Sequence, residues 1–191
     1  DKKLGFNQIH GKELSYNNYN DMFASLEIID SLKKNSGTVI IKHANPCGVS
    51  ENKVPLISFK NAYASDPVSA FGGVVACNYK INKKIASEIN KNFLEVILAK
   101  GFDKESLKIL QSKKNLRIID ISNFKLENLT SVKSFDGSFL IQSKDDLVFD
   151  KKKLKCVTKI KPTKKEMAEI EFAFNVCKHV KSNAIVLTNN F

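Results

Sequence analysis

The sequence predicts an α/β fold with a largely parallel sheet. Two patterns predict it. Short β-branched and aliphatic runs, typical of buried strands, alternate with segments whose apolar residues recur at three- and four-residue steps, typical of amphipathic helices. The chain has 191 residues and a hydrophobic content of 42%, which is enough for one sizeable domain or two small ones.

The first predicted elements are a helix at 18–34 and a strand at 38–41. The helix begins at a polar cap, Asn18 or Asn20, and ends at the glycine-containing segment that follows it. Its apolar face consists of Met22, Phe23, Leu26, Ile29 and Leu32. The strand (TVII) is β-branched, and it leads into residues 42–48 (KHANPCG), where proline and glycine predict a turn.

The same alternation continues along the rest of the chain. Residues 69–73 (SAFGG) predict a tight loop before the next strand, and Pro162 marks the start of the last helix. The remaining predicted elements are helices at 56–64, 82–92, 103–113 and 163–181 and strands at 74–77, 95–99, 116–121, 139–141 and 184–188. The lysine-rich connection before the last helix predicts a change of subdomain near 150–162.

The charge of the chain leaves two classes of function open. Basic residues number 31 and acidic residues 20, a net charge of +11. Arg117 is the single arginine, whereas proteins that read bases favour arginine. The densest lysine run, at 151–165, indicates a solvated surface or a site for a polyanion. A basic module that binds nucleic acid or an acidic partner is therefore the alternative to an enzyme.

Several classes of protein are not favoured by the sequence. It contains no apolar run of roughly 18 residues that would predict a membrane span, and no apolar stretch follows the charged amino terminus as in a signal peptide. We therefore expect a cytoplasmic protein without a membrane partner, although a fragment can lose its targeting segment. The four cysteines lack the spacing of a zinc site or a disulfide framework.

Two segments carry side chains suited to chemistry. In residues 42–48, Lys42 can stabilise negative charge and His43 can transfer a proton, at the carboxyl end of a strand where ligands of α/β sheets bind. Local features leave a structural role for His43 equally open. A zinc-deaminase interpretation of this segment fails, because Ser50 stands where the second cysteine is needed. In residues 69–73, Phe71 either stacks on a heterocycle or belongs to the core.

Four segments taken in order resemble a known enzyme family. They are residues 11–18 (GKELSYNN), 42–48 (KHANPCG), 66–73 (DPVSAFGG) and 181–185 (KSNAI). Together they are similar to the bacterial form of the bifunctional purine-biosynthesis enzymes AICAR transformylase/IMP cyclohydrolase. The resemblance implies a cytidine-deaminase-like three-layer α/β fold without zinc. It further implies a first transformylase subdomain at 1–150 and the truncated start of a second at 151–191.

The resemblance also implies an activity, the transfer of a formyl group from 10-formyltetrahydrofolate to AICAR. The implied catalytic residues are Lys42, His43 and Asn183, and the implied substrate-binding residues are Asn18, Phe71, Gly72 and Glu95. Glu95 stands where some members have aspartate. The resemblance implies no metal, no nucleic-acid partner and a homodimer in the intact enzyme. Because arginine-bearing family segments expected before and after this sequence are absent from it, we expect the 191 residues alone to be inactive.

Overall fold

The computed structural model describes residues 5–32, 35–126, 130–145 and 149–190. Its strands are β1 (Asn7–His10), β2 (Ser36–Lys42), β3 (Asn45–Asn52), β4 (Gly73–Cys77), β5 (Leu94–Ala99), β6 (Arg117–Asp120), β7 (Ser131–Phe135) and β8 (Ser138–Gln142). Its helices are α1 (Tyr16–Ser31), α2 (Pro55–Ser65), α3 (Lys83–Asn90), α4 (Lys104–Gln111) and α5 (Lys164–Cys177), with a 3₁₀ turn at Lys151–Lys153. The predicted α/β class is confirmed.

The main sheet is mixed rather than largely parallel. Its six strands lie in the order β1-β6-β5-β4-β2-β3. Only β4, β5 and β6 run parallel to one another, joined by helical crossovers, whereas β1, β2 and β3 pair with antiparallel neighbours. The prediction was wrong on this point because strand direction depends on which strands pair, and a run of apolar residues does not specify its partner.

Helices cover both faces of this sheet, and each face has its own apolar core. On one face α1 packs against alternate residues of the central strands and α5 packs on α1, with Met22 and Phe172 buried in the same apolar cluster. On the other face α2, α3 and α4 cover the opposite side chains, including Phe59 and Leu110. Alternate side chains of a strand point to opposite faces, so the apolar runs of these central strands fill both cores.

The predicted turn at 42–48 is shorter than expected. Only His43 and Ala44 form the turn, and β3 begins at Asn45, where it pairs with Lys42 of β2. Proline is tolerated because β3 is the edge strand, which needs no donor on its outer side. Gly48 is needed for the close packing of β3 against α2 and not for a turn, since a Cβ there would lie 1.9 Å from the Ala62 carbonyl oxygen in α2.

The first helix starts earlier than predicted and has a different cap. Its N-cap is Ser15 rather than Asn18 or Asn20, and Ser15 forms a capping box with Asn18. The helix ends at Ser31, and positions 33 and 34 of the prediction lie outside the described residues. The other four predicted helices are confirmed with shifted ends. In the described ranges no helix is long and apolar enough to cross a membrane.

The carboxyl-terminal part differs most from the prediction. Helix α5 forms as expected but ends at Cys177 rather than 181, and it packs on α1. Residues 184–188 form no strand, and Ile185 and Leu187 are 89% and 92% exposed. A β-branched run becomes a strand only where a neighbour accepts its backbone hydrogen bonds. No described strand pairs with it. The boundary between 1–150 and 151–191 stays a prediction.

Three strands were not predicted at all: β1, β7 and β3, the last of which begins within the predicted turn at 42–48. Strand β1 (NQIH) is mostly polar, and β7 (SVKSF) lies with β8 in a separate two-stranded ribbon whose side chains are almost all exposed. Neither β1 nor β7 has the apolar pattern of a buried element, so periodicity alone does not detect them.

Candidate functional site

The predicted site residues gather at the edge of the sheet where β2 ends. Because β2 runs antiparallel to β4, with Ile41 opposite Val74, this edge is also where the parallel strands β4, β5 and β6 begin. Residues 42 and 43 lie at the carboxyl end of β2, as predicted, but at the amino ends of the parallel strands rather than at the carboxyl ends, where ligands of parallel sheets usually bind. Lys42 and Glu95 nevertheless come to the same edge, one at the end of β2 and one near the start of β5.

The tight turn after Lys42 presents His43 to solvent. Both turn residues, His43 and Ala44, have φ of 55°, as the two-residue turns that suit the twist of a hairpin require. The Asp21 carboxylate of α1 accepts a 2.6 Å hydrogen bond from the Ala44 N–H and fixes the turn against the helix. The His43 imidazole has no hydrogen-bond partner among the described residues, so it is available to a ligand.

The Lys42 ammonium is held by the loop before β4. Its Nζ donates a 2.6 Å hydrogen bond to the Phe71 carbonyl oxygen. The next residue, Gly72, has φ of +69°, and a Cβ there would lie 2.9 Å from Lys42 Nζ. The glycine is therefore needed for two reasons. It permits the left-handed backbone, and it leaves room for the ammonium.

An aromatic pair stands beside this ammonium. Phe71 is 62% exposed, which excludes the core role that the sequence left open, and its ring centroid lies 4.9 Å from that of Phe93. The Gly72 N–H donates to the Phe93 carbonyl at 2.8 Å and joins the two loops. Hydrogen bonds from the Ser69 side chain and backbone to the Asp66 carboxylate order the loop that carries Phe71. The same bonds hold the pKa of the Asp66 carboxyl below its ordinary value.

The start of α1 connects to β5 through Asn18. Its Oδ1 accepts hydrogen bonds from the Ser15 N–H at 3.1 Å and the Ser15 hydroxyl at 3.0 Å, while its Nδ2 donates to Glu95 Oε2 at 3.2 Å. Glu95 Oε2 also lies 3.8 Å from the Arg117 guanidinium at the start of β6. The carboxylate of Glu95 is therefore held from two sides.

Asn183 lies near this edge because Lys181, two residues before it, binds there. Lys181 Nζ donates a 3.0 Å hydrogen bond to the His43 carbonyl, and the Lys181 N–H donates to Asn45 Oδ1 at 3.4 Å. Asn183 itself is exposed and makes no hydrogen bond among the described residues. Two residues of chain span at most about 7 Å, so Asn183 lies within reach of the turn without contacting it.

The structure thus brings together six of the seven predicted site residues, with Asn183 nearby. The sequence did not indicate four further residues of this edge as part of the site: Asp21, Phe93, Arg117 and Lys181. Arg117 could have been noticed from the sequence, since it is the single arginine of the chain. Asp21 resembles any polar residue of an amphipathic helix, and Phe93 any apolar residue before a strand.

The side chains of this edge suit transfer chemistry on a polar, ring-containing substrate. A fixed ammonium can stabilise an oxyanion, an unpartnered imidazole can carry a proton, and exposed rings can stack on a heterocycle. The half-buried Cys47 is a poor nucleophile, because burial and then the nearby Asp66 charge raise the pKa of its thiol to about 11. The described residues hold no group of three or more His, Cys, Asp or Glu arranged for a metal ion.

Comparison with known proteins gives one family over the whole chain. Residues 1–191 match the family described as AICARFT/IMPCHase bienzyme. The sequence is 46% identical over 183 residues to "Bifunctional purine biosynthesis protein PurH" of a Thermoanaerobacter species, covering 96% of this chain and 36% of that protein. It is 42% identical to the protein of the same name from Ruminiclostridium cellulolyticum, covering 94% and 35%. The chain therefore spans about a third of the length of these relatives.

Solved structures give a weaker likeness. Acinetobacter baumannii RibD, form 1, matches with a TM-score of 0.42 and 12% identity, over 52% of this chain and 35% of that one. A likeness of this size does not distinguish one family of α/β folds from another. The cytidine-deaminase-like fold stays a prediction.

Proposed function

Because the chain belongs to the AICARFT/IMPCHase bienzyme family, we propose that it forms part of a formyl-transfer site of purine biosynthesis. The donor is 10-formyltetrahydrofolate and the acceptor is the 5-amine of AICAR. The observation that carries this proposal is the meeting of Lys42, His43 and the Phe71–Gly72 loop at one edge of the sheet. An oxyanion stabiliser, a proton carrier and an aromatic surface are what this transfer requires.

The reaction assigns separate tasks to Lys42 and His43. The amine nitrogen attacks the formyl carbon, and its lone pair forms the new C–N bond while the carbonyl oxygen becomes negative. The Lys42 ammonium stabilises that oxygen. The His43 imidazole removes the amine proton. The negative oxygen then re-forms the carbonyl bond, the bond from carbon to N10 of the folate breaks with its electron pair going to N10, and His43 returns the proton to N10. Since an aromatic amine is a weak nucleophile, timely removal of its proton matters.

The remaining residues hold the substrates. We assign Asn18 and Glu95 to the nucleotide, because an amide and a carboxylate provide hydrogen bonds to its polar groups. Phe71 and Gly72 lie beside the folate and the AICAR ring, where an exposed ring stacks and a missing side chain permits close approach. We assign Asn183 to the reacting groups, because Lys181, two residues before it, binds the His43 carbonyl oxygen.

The wider arrangement of the protein is also part of the proposal. We assign residues 1–150 to the first subdomain of a cytidine-deaminase-like transformylase domain without zinc, and 151–191 to the start of the second. The active protein is a homodimer of the longer polypeptide. No metal enters the mechanism. The basic-module alternative is not favoured, because a family of metabolic enzymes matches the whole chain and charge alone supports the module.

The test is a formyl-transfer assay that follows release of tetrahydrofolate, using the natural full-length polypeptide. His43→Ala and Lys42→Ala are each expected to lower turnover by roughly a hundredfold or more, because each removes one positioned group. AICAR affinity should change much less if both groups act mainly in the transition state. Lys108→Met, on the surface of α4, is the control. Full turnover by His43→Ala would leave His43 as a structural histidine.

The same assay addresses the 191 residues alone. We expect them to bind AICAR weakly and to transfer little or no formyl group, because the arginine-bearing family segments are missing from this sequence. Turnover equal to that of the full-length polypeptide would show that Lys42, His43 and their neighbours suffice.

A further inference from the structure

Arg117 occupies an unusual position for the only arginine of the chain. Its side chain is 14% exposed, at the start of β6 on the same edge as Lys42. Its Nε donates a 3.0 Å hydrogen bond to the Glu13 carbonyl oxygen, and its Nη1 lies 3.8 Å from Glu95 Oε2. A guanidinium this buried is costly unless its charge and donors are used.

The Glu95 carboxylate beside it is engaged on one oxygen only. Oε2 receives the Asn18 amide at 3.2 Å and faces the Arg117 charge at 3.8 Å. Within the described ranges no protein group binds Oε1, and the Glu95 side chain is 42% exposed. The carboxylate is therefore fixed through one oxygen while the other remains available to a hydroxyl or amine of a ligand.

We propose that Arg117 is a positioning residue that orients Glu95 for the nucleotide, an inference that rests on the function proposed above. The distance of 3.8 Å exceeds a hydrogen bond, so Arg117 acts on Glu95 by its charge. The same guanidinium donates a hydrogen bond from Nε to the Glu13 carbonyl oxygen, and so connects β6 with the segment that leads to Asn18. A lysine, with one terminal ammonium, would not serve both partners in this geometry.

The proposal is tested by a double-mutant cycle in the natural full-length polypeptide. AICAR affinity is measured by calorimetry for the unmodified protein, Arg117→Met, Glu95→Gln and the double variant. Arg117→Met is expected to weaken AICAR binding by roughly tenfold and to leave kcat at saturating AICAR within about threefold, because it disturbs binding rather than chemistry. In the Glu95→Gln background it should have almost no further effect, since Arg117 acts through that carboxylate.

Two controls separate positioning from structure. Lys108→Met, which removes a surface cation paired with Glu105 on α4, should leave AICAR affinity unchanged. Arg117→Lys retains the charge without the fork and should lose affinity by a smaller factor. If Arg117→Met does not fold, the lysine variant takes its place in the cycle.

The outcomes distinguish this inference from the proposed function. Equal losses of affinity from the Arg117 variant with and without Glu95→Gln would overturn the positioning role, as would no loss in either background. Formyl transfer by the unmodified protein would then still stand. If the unmodified protein binds AICAR but transfers no formyl group, the proposed function fails, whereas the cycle continues to report on Arg117.

Discussion

Replacement of Gly72 by alanine tests whether turnover depends on the position of the Lys42 ammonium, with little change in the stability of the fold. The added Cβ would lie 2.9 Å from Lys42 Nζ. Ordinary contact requires about 3.5–4 Å, so the ammonium must retreat by roughly half an ångström to one ångström. Its 2.6 Å hydrogen bond to the Phe71 carbonyl would lengthen or break. The next nearest atom, Phe93 Cε1 at 3.4 Å, is already at contact distance.

The effect on stability is expected to be small. The backbone at φ of +69° costs an alanine about 1–2 kcal/mol, and the lower entropy of the unfolded chain offsets about 0.4–1 kcal/mol of this. The end of a lysine side chain moves aside easily, so the steric contact itself adds little. A net loss of about 1 kcal/mol lowers Tm by about 2–4 °C in a protein of this size.

The effect on turnover is expected to be much larger. Displacement of a catalytic group by an ångström can reduce a rate by up to about a hundredfold, so kcat of formyl transfer by the natural full-length polypeptide should fall at least tenfold. The matched control is Gly137→Ala, because Gly137 has a similar φ of +77° and a Cβ there would meet nothing within 4 Å. Both variants should lose similar Tm, and only Gly72→Ala should lose turnover. Equal turnover in the two variants would refute the assignment of Lys42.

Three further predictions concern stability and reactivity. Gly48→Ala should destabilise the protein by about 3 kcal/mol in urea unfolding, because its Cβ would lie 1.9 Å from the Ala62 carbonyl oxygen; a loss under 1 kcal/mol would contradict this packing. Iodoacetamide at pH 8 should label the exposed Cys156 well before Cys47, whose pKa of about 11 leaves about one thiolate in a thousand; peptide mass spectrometry gives the order. Burial lowers the pKa of His179 from 6.5 to about 4, so the unfolded chain binds more protons between these values and stability should fall as pH falls through this window. His179→Gln should flatten that dependence, and an unchanged slope would exclude His179 as its source.

The sequence predicted well those features that neighbouring residues determine. The buried strands β4 and β5 follow from their uninterrupted apolar runs, and the helices α3 and α4 from their periodic apolar faces. The catalytic candidates at 42–48 and the Phe71 loop, which residue chemistry and family resemblance indicated together, stay predictions. Each of these strands and helices is determined by a few adjacent positions of the sequence.

The features that the sequence did not predict depend on contacts between distant positions. The direction of β2 depends on its pairing with β3 and β4, and that direction moves the site to the edge where the parallel strands begin. The run at 184–188 has the composition of a strand, but no described strand accepts its hydrogen bonds. Arg117 and Phe93 come to this edge only because β5 begins opposite Gly73 and β6 begins beside β5, a proximity that spacing along the chain does not reveal.

Asn18 shows how closely fold and proposed site are connected at this edge. One atom of its amide, Oδ1, completes the capping box of α1, and the other, Nδ2, holds Glu95. Replacement by alanine would remove the Asn18 half of the capping box while Ser15 remains the N-cap, and it would also remove the contact to the carboxylate. A loss of nucleotide affinity in that variant would therefore have two explanations. Glu95 contributes no cap, so Glu95→Gln reports on binding with the start of α1 intact, whereas Arg117→Met also removes the hydrogen bond to the Glu13 carbonyl before that helix.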